Sequence, residues 1–331
     1  MIPTMDQFAG LGGWLTASKR TGGIDIRASL NHNPLACEFL RLNNPHSPRP
    51  IRQDLSEADF AEFDEILGGL VIGSPACQGF SSGGAPARRG KGGNGHVNIT
   101  RNMQRTKANR STAWALVSAA EMLEPRALLV ENVAPFLQWN LFPAWKGALE
   151  ALGYVVREHV LDAARYGVAQ ERRRAIVTAS RVGPIDLAES WGEPATWGVC
   201  NALDLWLDDD GHKWTAIDDA PERTRRLIRS RQEASGLSTG LLNNVGDGVR
   251  LRGLEEPCCT LTTKSGGQIM IVDGDRRRMI TAREMARVQG WRDSELPHLP
   301  QRKADASLLI GNAIPVGLAE GVLAQTLEVI A

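Results

Sequence analysis

The stretch LVIGSPACQGFSSGG, residues 70–84, joins a short apolar run, a turn signal and a cysteine. Residues 70–72 predict a buried strand, because short apolar runs bounded by turn residues are typical of one. Residues 73–75 end that strand and put Cys77 just past its carboxyl end, where open α/β sheets gather ligands and catalytic groups. The stretch predicts a nucleophilic thiol at a strand tip, or alternatively a small apolar cysteine beside a solvated loop.

The segment that follows Cys77 is basic and rich in glycine. Residues 84–110 contain seven Lys or Arg side chains and no carboxylate. The whole chain has 38 basic and 38 acidic residues, so no global field attracts a polyanion. The local charge therefore predicts a polyanionic substrate bound near Cys77.

The N-terminal half alternates strand-like and helix-like segments, which predicts an α/β fold with a mostly parallel, doubly wound sheet. Strands are expected over 24–30, 70–72, 127–130, 155–161 and 174–179, and helices over 14–20, 34–42, 111–123 and 143–152. Residues 181–275 have weak periodicity apart from a basic helix at 221–235, so they predict a separate, smaller and irregular domain. Helical patterns return at 281–288 and from Pro315 onward.

Residues 8–13, FAGLGG, lie between a predicted strand and a predicted helix. Glycines there let a ligand approach the backbone in front of a helix N-terminus. The spacing is not the dinucleotide fingerprint, since Leu15 stands where its third glycine would be. The motif predicts a nucleotide-like cofactor, or else a bare glycine turn.

Cysteine usage and hydropathy limit the class of protein. Five scattered cysteines without a Cys-x-x-Cys pair indicate neither a disulfide framework nor a zinc site. No secretory pattern and no apolar run near membrane-spanning length is apparent. We expect a cytoplasmic protein without bound metal and without membrane association.

Six motifs occur in a fixed order, although each alone has an ordinary explanation as a turn, a cap or a solvated strand. Together they resemble the cytosine carbon-5 DNA methyltransferases over most of the chain outside 181–255. The motifs are Phe-x-Gly-x-Gly-Gly (8–13), Cys-Gln-Gly-Phe-Ser (77–81), Glu-Asn-Val (131–133), Gln-x-Arg-x-Arg (170–174), Arg-Glu-x-x-Arg-x-Gln-Gly (283–290) and Gly-Asn-Ala-x-Pro (311–315).

The resemblance implies a Rossmann-like methyltransferase sheet that binds S-adenosylmethionine and releases S-adenosylhomocysteine. It implies a discontinuous catalytic domain, 1–180 plus 276–331, and a target-recognition domain, 181–275. Two departures stand out: Ala76 replaces a proline beside the cysteine, and Asn31 replaces the ribose-binding acid. The implied cofactor residues are Phe8, Gly10, Leu11, Gly13, Asn31, Asp54, Leu55, Asn312 and Ala313.

The resemblance also implies the chemistry. Cys77 adds to carbon-6 of a flipped-out cytosine, Glu131 holds cytosine N3, and Arg172 and Arg174 lie near the base and its phosphates. Alternation along the expected strand puts the two arginines on one face. The implied DNA contacts are Gln78, Ser81, Arg88, Arg89, Arg110, Gln170, Thr262 and Arg283.

Three alternatives share this fold. The intact Cys77 and Glu131 argue against a non-catalytic DNA-binding relative, and the lack of a Cys-Phe-Thr tripeptide argues against an RNA cytosine methyltransferase. The altered ribose site motivates transfer of a modified group from a variant cofactor. We expect a monomer that acts on double-stranded DNA in a prokaryotic or phage setting, where a cognate restriction endonuclease is a compatible partner.

Overall fold

The structure is a computed structural model that describes residues 1–77, 80, 110–192, 198–205, 213–243 and 249–331. The chain divides into two compact units. The first unit holds 1–161, 173–189 and 319–331, and the second unit holds 162–172 and 190–318. This is a division by compactness, so the functional boundaries at 180 and 275 stay a prediction.

The first unit is built on a seven-stranded sheet of order β3-β2-β1-β4-β5-β7-β6. Strands β1 to β5 pair in parallel, whereas β7 runs antiparallel to β5. The predicted α/β sheet is thus confirmed, with one reversed strand. The strands are β1 (Ile2–Gln7), β2 (Ile24–Asn31), β3 (Ile51–Arg52), β4 (Leu70–Gly73), β5 (Ala127–Val133), β6 (Val155–Asp162) and β7 (Arg173–Ser180).

The helices of this unit begin and end close to the predicted residues: α1 (Gly13–Thr21), α2 (Pro34–Asn43), α3 (Trp114–Leu123) and α4 (Phe142–Ala151). Pro34 occupies the first turn of α2, and the Asn33 side chain accepts the Leu35 N–H as its cap. All four residues of β4 are buried, which explains its uninterrupted apolar sequence. Because β1 to β5 are parallel, their carboxyl ends share one edge of the sheet.

The second unit contains a five-stranded antiparallel sheet of order β10-β9-β11-β12-β8. The sheet was not predicted from the sequence, although the described residues of 181–275 outside its short strands and the predicted basic helix are largely irregular, as expected. The strands are too short for periodicity to reveal them: β8 (Thr215–Ala216), β9 (Thr239–Asn243), β10 (Leu251–Arg252), β11 (Ile269–Asp273) and β12 (Arg276–Met279). The later helices are α5 (Glu222–Ser235), α6 (Ala282–Val288), α7 (Lys303–Asn312) and α8 (Val316–Ile330).

One stretch of the described chain, Lys303–Ile330, is long and apolar enough to cross a membrane by length and composition, with a mean hydropathy of 1.5. However, 78% of its most apolar window is buried inside the structure. Core helices of water-soluble proteins share these properties, so the stretch is weak evidence for a membrane span.

Candidate active site at the strand ends

The loop that follows β1 has an unusual backbone. Phe8 has a φ of 64°, and Gly10 and Gly12 have φ values of 55° and 89°. A left-handed conformation costs a non-glycine residue about 1–2 kcal/mol, so Phe8 is held there by its surroundings. The left-handed φ of Gly12 favours glycine at this position, and a Cβ there would also lie 2.6 Å from Cδ1 of Leu40. The loop therefore packs tightly against α2.

Helix α1 begins directly after this loop. Its N-terminus has neither a side-chain cap nor an acidic residue in the first turn. Unsatisfied N–H groups at such an end suit a carboxylate or another anion. Leu11 and Gly13 are buried, so these two predicted cofactor residues would contribute mainly backbone and packing.

The tips of β2 and β3 hold the next predicted cofactor residues. The Asn31 side-chain oxygen accepts the Asn33 N–H at 2.9 Å, which leaves its amide group as what it can offer a ribose hydroxyl. Asp54 is exposed, and hydrogen bonds from the Ser56 hydroxyl and N–H lower the pKa of its carboxyl. Leu55 is buried in the core beneath. A charged acceptor thus lies at the tip of β3.

Two hydrogen bonds fix the backbone that leads from β4 to Cys77. The Asn132 Nδ2 group, at the tip of β5, donates to the Pro75 carbonyl at 3.0 Å. The Ala76 N–H donates to the Thr112 hydroxyl at 3.2 Å. Cys77 itself is half-buried, and its carbonyl accepts the Phe80 N–H at 2.9 Å. The predicted nucleophile is thereby tied to the neighbouring strand tip.

Phe80 anchors the chain just after Cys77 in an aromatic cluster. Its ring lies 5.1 Å from that of Phe136 and 5.6 Å from that of Trp139, both edge-on. The Arg110 guanidinium lies 5.7 Å from the Phe80 ring centroid, within cation–π range. Four predicted DNA contacts lie outside the described residues: Gln78, Ser81, Arg88 and Arg89.

Glu131 and Arg174 form an ion pair between β5 and β7. Arg174 Nε lies 2.8 Å from Glu131 Oε1, and the two side chains are only 11% and 8% exposed. Such a buried pair is oriented by its own geometry, and removing one partner typically costs about 3–5 kcal/mol. Arg174 therefore fixes the Glu131 carboxylate and compensates its charge near the end of β5. The neighbouring strand, β4, leads to Cys77.

Arg172 is placed differently from the prediction. Strand β7 begins at Arg173, so Arg174 lies within the strand and Arg172 lies one residue before it, in the second unit. Its side chain is 2% exposed and donates to the carbonyls of Leu261, Gly311 and Ala313 at 2.6, 2.8 and 3.2 Å. Three buried acceptors explain why the guanidinium turns inward. Arg172 thus holds backbone of its own unit, and a role near the base stays a prediction.

We name Gln170, Arg172 and Gln289 the polar cluster of the second unit. Gln170 is fully buried; its Nε2 donates to Gln289 Oε1 at 3.0 Å, and its Oε1 accepts the Leu261 N–H at 2.8 Å. Gln289 Nε2 donates to the Ile310 carbonyl at 2.8 Å. Three of the six family-like motifs and the segment around Leu261 thus meet through hydrogen bonds, because each buried amide needs partners. A DNA contact by Gln170 stays a prediction.

The remaining predicted residues differ in exposure. Arg283 donates to the carbonyls of Leu296 and Pro297, so its guanidinium holds a loop of its own unit. Thr262 and Asn312 are exposed, whereas Ala313 is buried. The meeting of Asn312 and Ala313 with the β1 loop stays a prediction.

Sequence reasoning missed Asp6, which lies in β1, two residues before Phe8. Its side chain is fully buried, and neither carboxylate oxygen has a hydrogen-bond partner among the residues that the structure describes. Burial raises the pKa of the Asp6 carboxyl well above its usual range. The sequence signal is a carboxylate near the end of a predicted strand, next to a glycine loop.

Comparison with known proteins identifies relatives for this arrangement. Residues 2–196 match the model of the C-5 cytosine-specific DNA methylase family. The type II methyltransferase M.MthTI of Methanothermobacter thermautotrophicus is 26% identical over 293 residues, 78% of each chain. DNA (cytosine-5)-methyltransferase 1A of rice is 34% identical over 143 residues, which are 42% of this chain and 8% of that protein. The plant relatives are thus far longer, since this chain covers 8–16% of them.

Solved structures share the fold. A putative DNA modification methyltransferase of an E. coli prophage superposes with a TM-score of 0.69 at 19% identity, over 99% of both chains. The S. pombe Dnmt2 methyltransferase superposes with a TM-score of 0.68 at 17% identity, over 99% of this chain and 98% of that one.

Proposed function

Because the chain belongs to the C-5 cytosine-specific DNA methylase family, we propose that it methylates carbon-5 of cytosine in double-stranded DNA. The observation that carries this proposal is the arrangement at two adjacent strand tips. The loop with Cys77 is tied to β5 by Asn132, and β5 presents Glu131 already paired with Arg174. A thiol and an oriented carboxylate on neighbouring strands suit addition to a pyrimidine ring.

The β1 loop, the α1 N-terminus and Asp54 fit S-adenosylmethionine. The uncapped helix end suits a carboxylate, the turn at Gly10 leaves backbone accessible, and the charged Asp54 suits an amino group. When bound, the cofactor supplies an electrophilic methyl group. Asn31 would serve the ribose with an amide, which offers a hydrogen bond without charge.

The chain's own groups carry the remaining steps. The Cys77 thiolate adds to carbon-6, which raises electron density at carbon-5. Glu131, held by Arg174, contacts the N3 side of the ring and favours protonation of N3, which neutralises the negative charge that develops as the thiolate adds. Loss of the carbon-5 proton after methylation breaks the sulfur–carbon bond and returns the thiolate. The base leaves the stack to reach this site, since a paired cytosine shields its ring.

The second unit supports a role in DNA recognition. Helix α5 carries five arginines, and Arg223 is exposed on it. Phosphate contacts from such a helix would position the duplex, whereas base-edge contacts elsewhere in 181–275 would supply specificity. We further propose that the protein acts as a cytoplasmic monomer. The type II designation of M.MthTI is compatible with a paired endonuclease.

Nucleoside mass spectrometry tests the proposal. Duplex DNA and transfer RNA are incubated separately with the protein and S-adenosylmethionine, then digested to nucleosides. We expect 5-methyldeoxycytidine from the DNA and no 5-methylcytidine from the RNA, with Cys77→Ser protein as the blank. Product in RNA alone, or an added mass other than methyl, would replace the proposal by one of the alternatives above.

A further inference from the structure

Two adjacent thiols of the second unit have no part in the chemistry above. Cys258 is fully buried, and Cys259, which follows it directly in the chain, is half-buried. A solvent-reachable sulfur next in sequence to a shielded one is the arrangement in which the first is attacked and the second resolves the product.

Neighbouring groups make the two thiols unequal. The hydrogen bond from Cys258, helped by the positive charge of Arg252, lowers the pKa of Cys259 to about 7. The same bond, together with burial, raises the pKa of Cys258. Arg252 is held in place by an ion pair with Glu171 at 2.8 Å. Because the thiolate is the nucleophile, Cys259 carries the reactive sulfur and Cys258 keeps its proton.

We propose that Cys259 and Cys258 form a dithiol that a hydroperoxide oxidises to a disulfide between adjacent residues. The Cys259 thiolate attacks the peroxide oxygen, the O–O bond breaks, and hydroxide (or alkoxide) leaves with two electrons. Cys259 is then a sulfenic acid. The Cys258 sulfur attacks that sulfur, and its proton leaves with the hydroxyl group as water.

Oxidation would disturb the backbone bridge on which the pair lies. The Cys258 N–H donates to the Ala169 carbonyl, and the Glu171 N–H donates to the Cys258 carbonyl, both at 2.9 Å. A ring closed between adjacent cysteines includes the peptide bond that joins them, so closure turns the Cys258 carbonyl away from Glu171. The segment that carries Gln170 would therefore loosen, which makes the dithiol a redox switch for the polar cluster.

Peptide mass spectrometry tests the chemistry in a Cys77→Ser background, which removes the candidate nucleophile. Stoichiometric hydrogen peroxide should give a peptide two hydrogens lighter that contains both cysteines, and dithiothreitol should reverse it. Cys258→Ser protein should stop at a sulfenic acid trapped by dimedone. Cys259→Ser protein should form neither product, and Cys200→Ser should behave as the parent. A disulfide to any other cysteine, or an unchanged reaction in Cys259→Ser, would overturn the proposal.

Two measurements on the protein without these cysteine substitutions avoid any folding defect. The rate of iodoacetamide labelling at Cys259 should be half-maximal near pH 7, following the pKa of about 7 of that thiol. Oxidation should speed hydrogen exchange at the Glu171 amide about fivefold, the factor for one typical net hydrogen bond. The Met285 amide, bonded within α6, serves as the control. A labelling midpoint near the ordinary thiol pKa of about 8.5, or unchanged Glu171 exchange, would contradict the proposal.

Discussion

The strand ends of the first unit and the polar cluster of the second unit both consist of family-like motif residues, yet they use their polar groups in opposite ways. At the strand ends, the Cys77 loop and the Glu131 carboxylate are fixed by neighbours such as Asn132 and Arg174. In the polar cluster, Gln170 and Arg172 spend their hydrogen bonds on other parts of the same unit. A motif match therefore identifies two kinds of residue, those that we propose face a substrate and those that hold the fold.

Arg172 and Arg174 show the difference within one motif. Both are arginines near the start of β7, and both are buried. Arg174 is paired with the Glu131 carboxylate. If Arg174 is replaced, replacing Glu131 as well removes the buried charge that would otherwise be left unpaired. Arg172 has three backbone carbonyls, which no single substitution can remove. Side-chain partners, rather than motif position, thus separate the two roles.

The largest expected effect is on the strand-end side of the comparison. Cys77→Ser should lower methyl transfer by about 10³-fold or more, the scale of losing a covalent nucleophile. The melting temperature and the affinity for DNA should stay close to those of the parent, because the change is nearly isosteric. Wild-type protein should form a stable adduct with 5-fluorocytosine DNA, since fluorine blocks the elimination. Undiminished turnover in the serine protein would remove Cys77 from the mechanism.

Glu131→Gln should lower kcat by about 10²–10³-fold, within the range for a positioned acid or base. The protein should still fold, because the amide keeps an acceptor oxygen for Arg174, although the unpaired Arg174 charge should lower the free energy of unfolding by up to about 3–5 kcal/mol. Initial rates at saturating DNA and cofactor measure this effect, and urea unfolding supplies the control. A large loss of stability with little loss of rate would move Glu131 to the structural class.

The two arginines provide a matched test. Arg172→Met should lower the free energy of unfolding by about 3–5 kcal/mol, because buried carbonyls lose their donor. Arg174→Met should also destabilise the protein, but adding Glu131→Gln should recover much of that loss. Urea unfolding of the single and double variants gives the coupling energy. Adding Glu131→Gln to Arg172→Met should recover nothing, and recovery there would break the distinction.

Asp6 predicts a dependence of stability on pH. Its pKa is raised in the folded protein, so between the unfolded pKa near 4 and the folded pKa the folded state binds one more proton. Stability should then fall by about 1.4 kcal/mol per pH unit as the pH rises through that window. Asp6→Asn should flatten this slope, as measured by urea unfolding from pH 4 to pH 7. An identical slope in both proteins would mean that another group titrates.

The smallest effect concerns α5. Arg223→Gln should reduce the slope of log affinity against log salt by about 0.9, the value for one phosphate contact in duplex DNA. Arg229→Gln is the matched control, because Arg229 lies 2.7 Å from Asp275 and its charge is already compensated. Equal slopes for Arg223→Gln and the parent would take this helix face out of the interface.

Much of the first unit could be predicted because its signals are local. Apolar runs and helical spacing gave β4, α2 and α5 nearly to the residue. The antiparallel direction of β7 and the two-residue strands of the second unit could not be predicted, since pairing partners far along the chain decide them. The polar cluster joins segments around 170, 261, 289 and 311 by hydrogen bonds, which leave no trace in spacing. Asp6 was missed because burial, rather than sequence, makes it unusual.

The first unit is assembled from segments that lie far apart in the chain, and this has a consequence for its synthesis on the ribosome. Its final segment, 319–331, is held by Arg20, which pairs with Glu320 across 300 residues, and by Arg126, which donates to the Ile330 carbonyl. At about 5–20 residues per second, a ribosome needs about 15–60 s between those two partners. Strand β7 ends at residue 180, so the whole sheet is synthesised about 140 residues before 319–330, the helical segment that belongs to the same unit. A nascent chain therefore lacks part of this unit until residues 319–330 have been synthesised, and the apolar surface that they contact stays exposed until then.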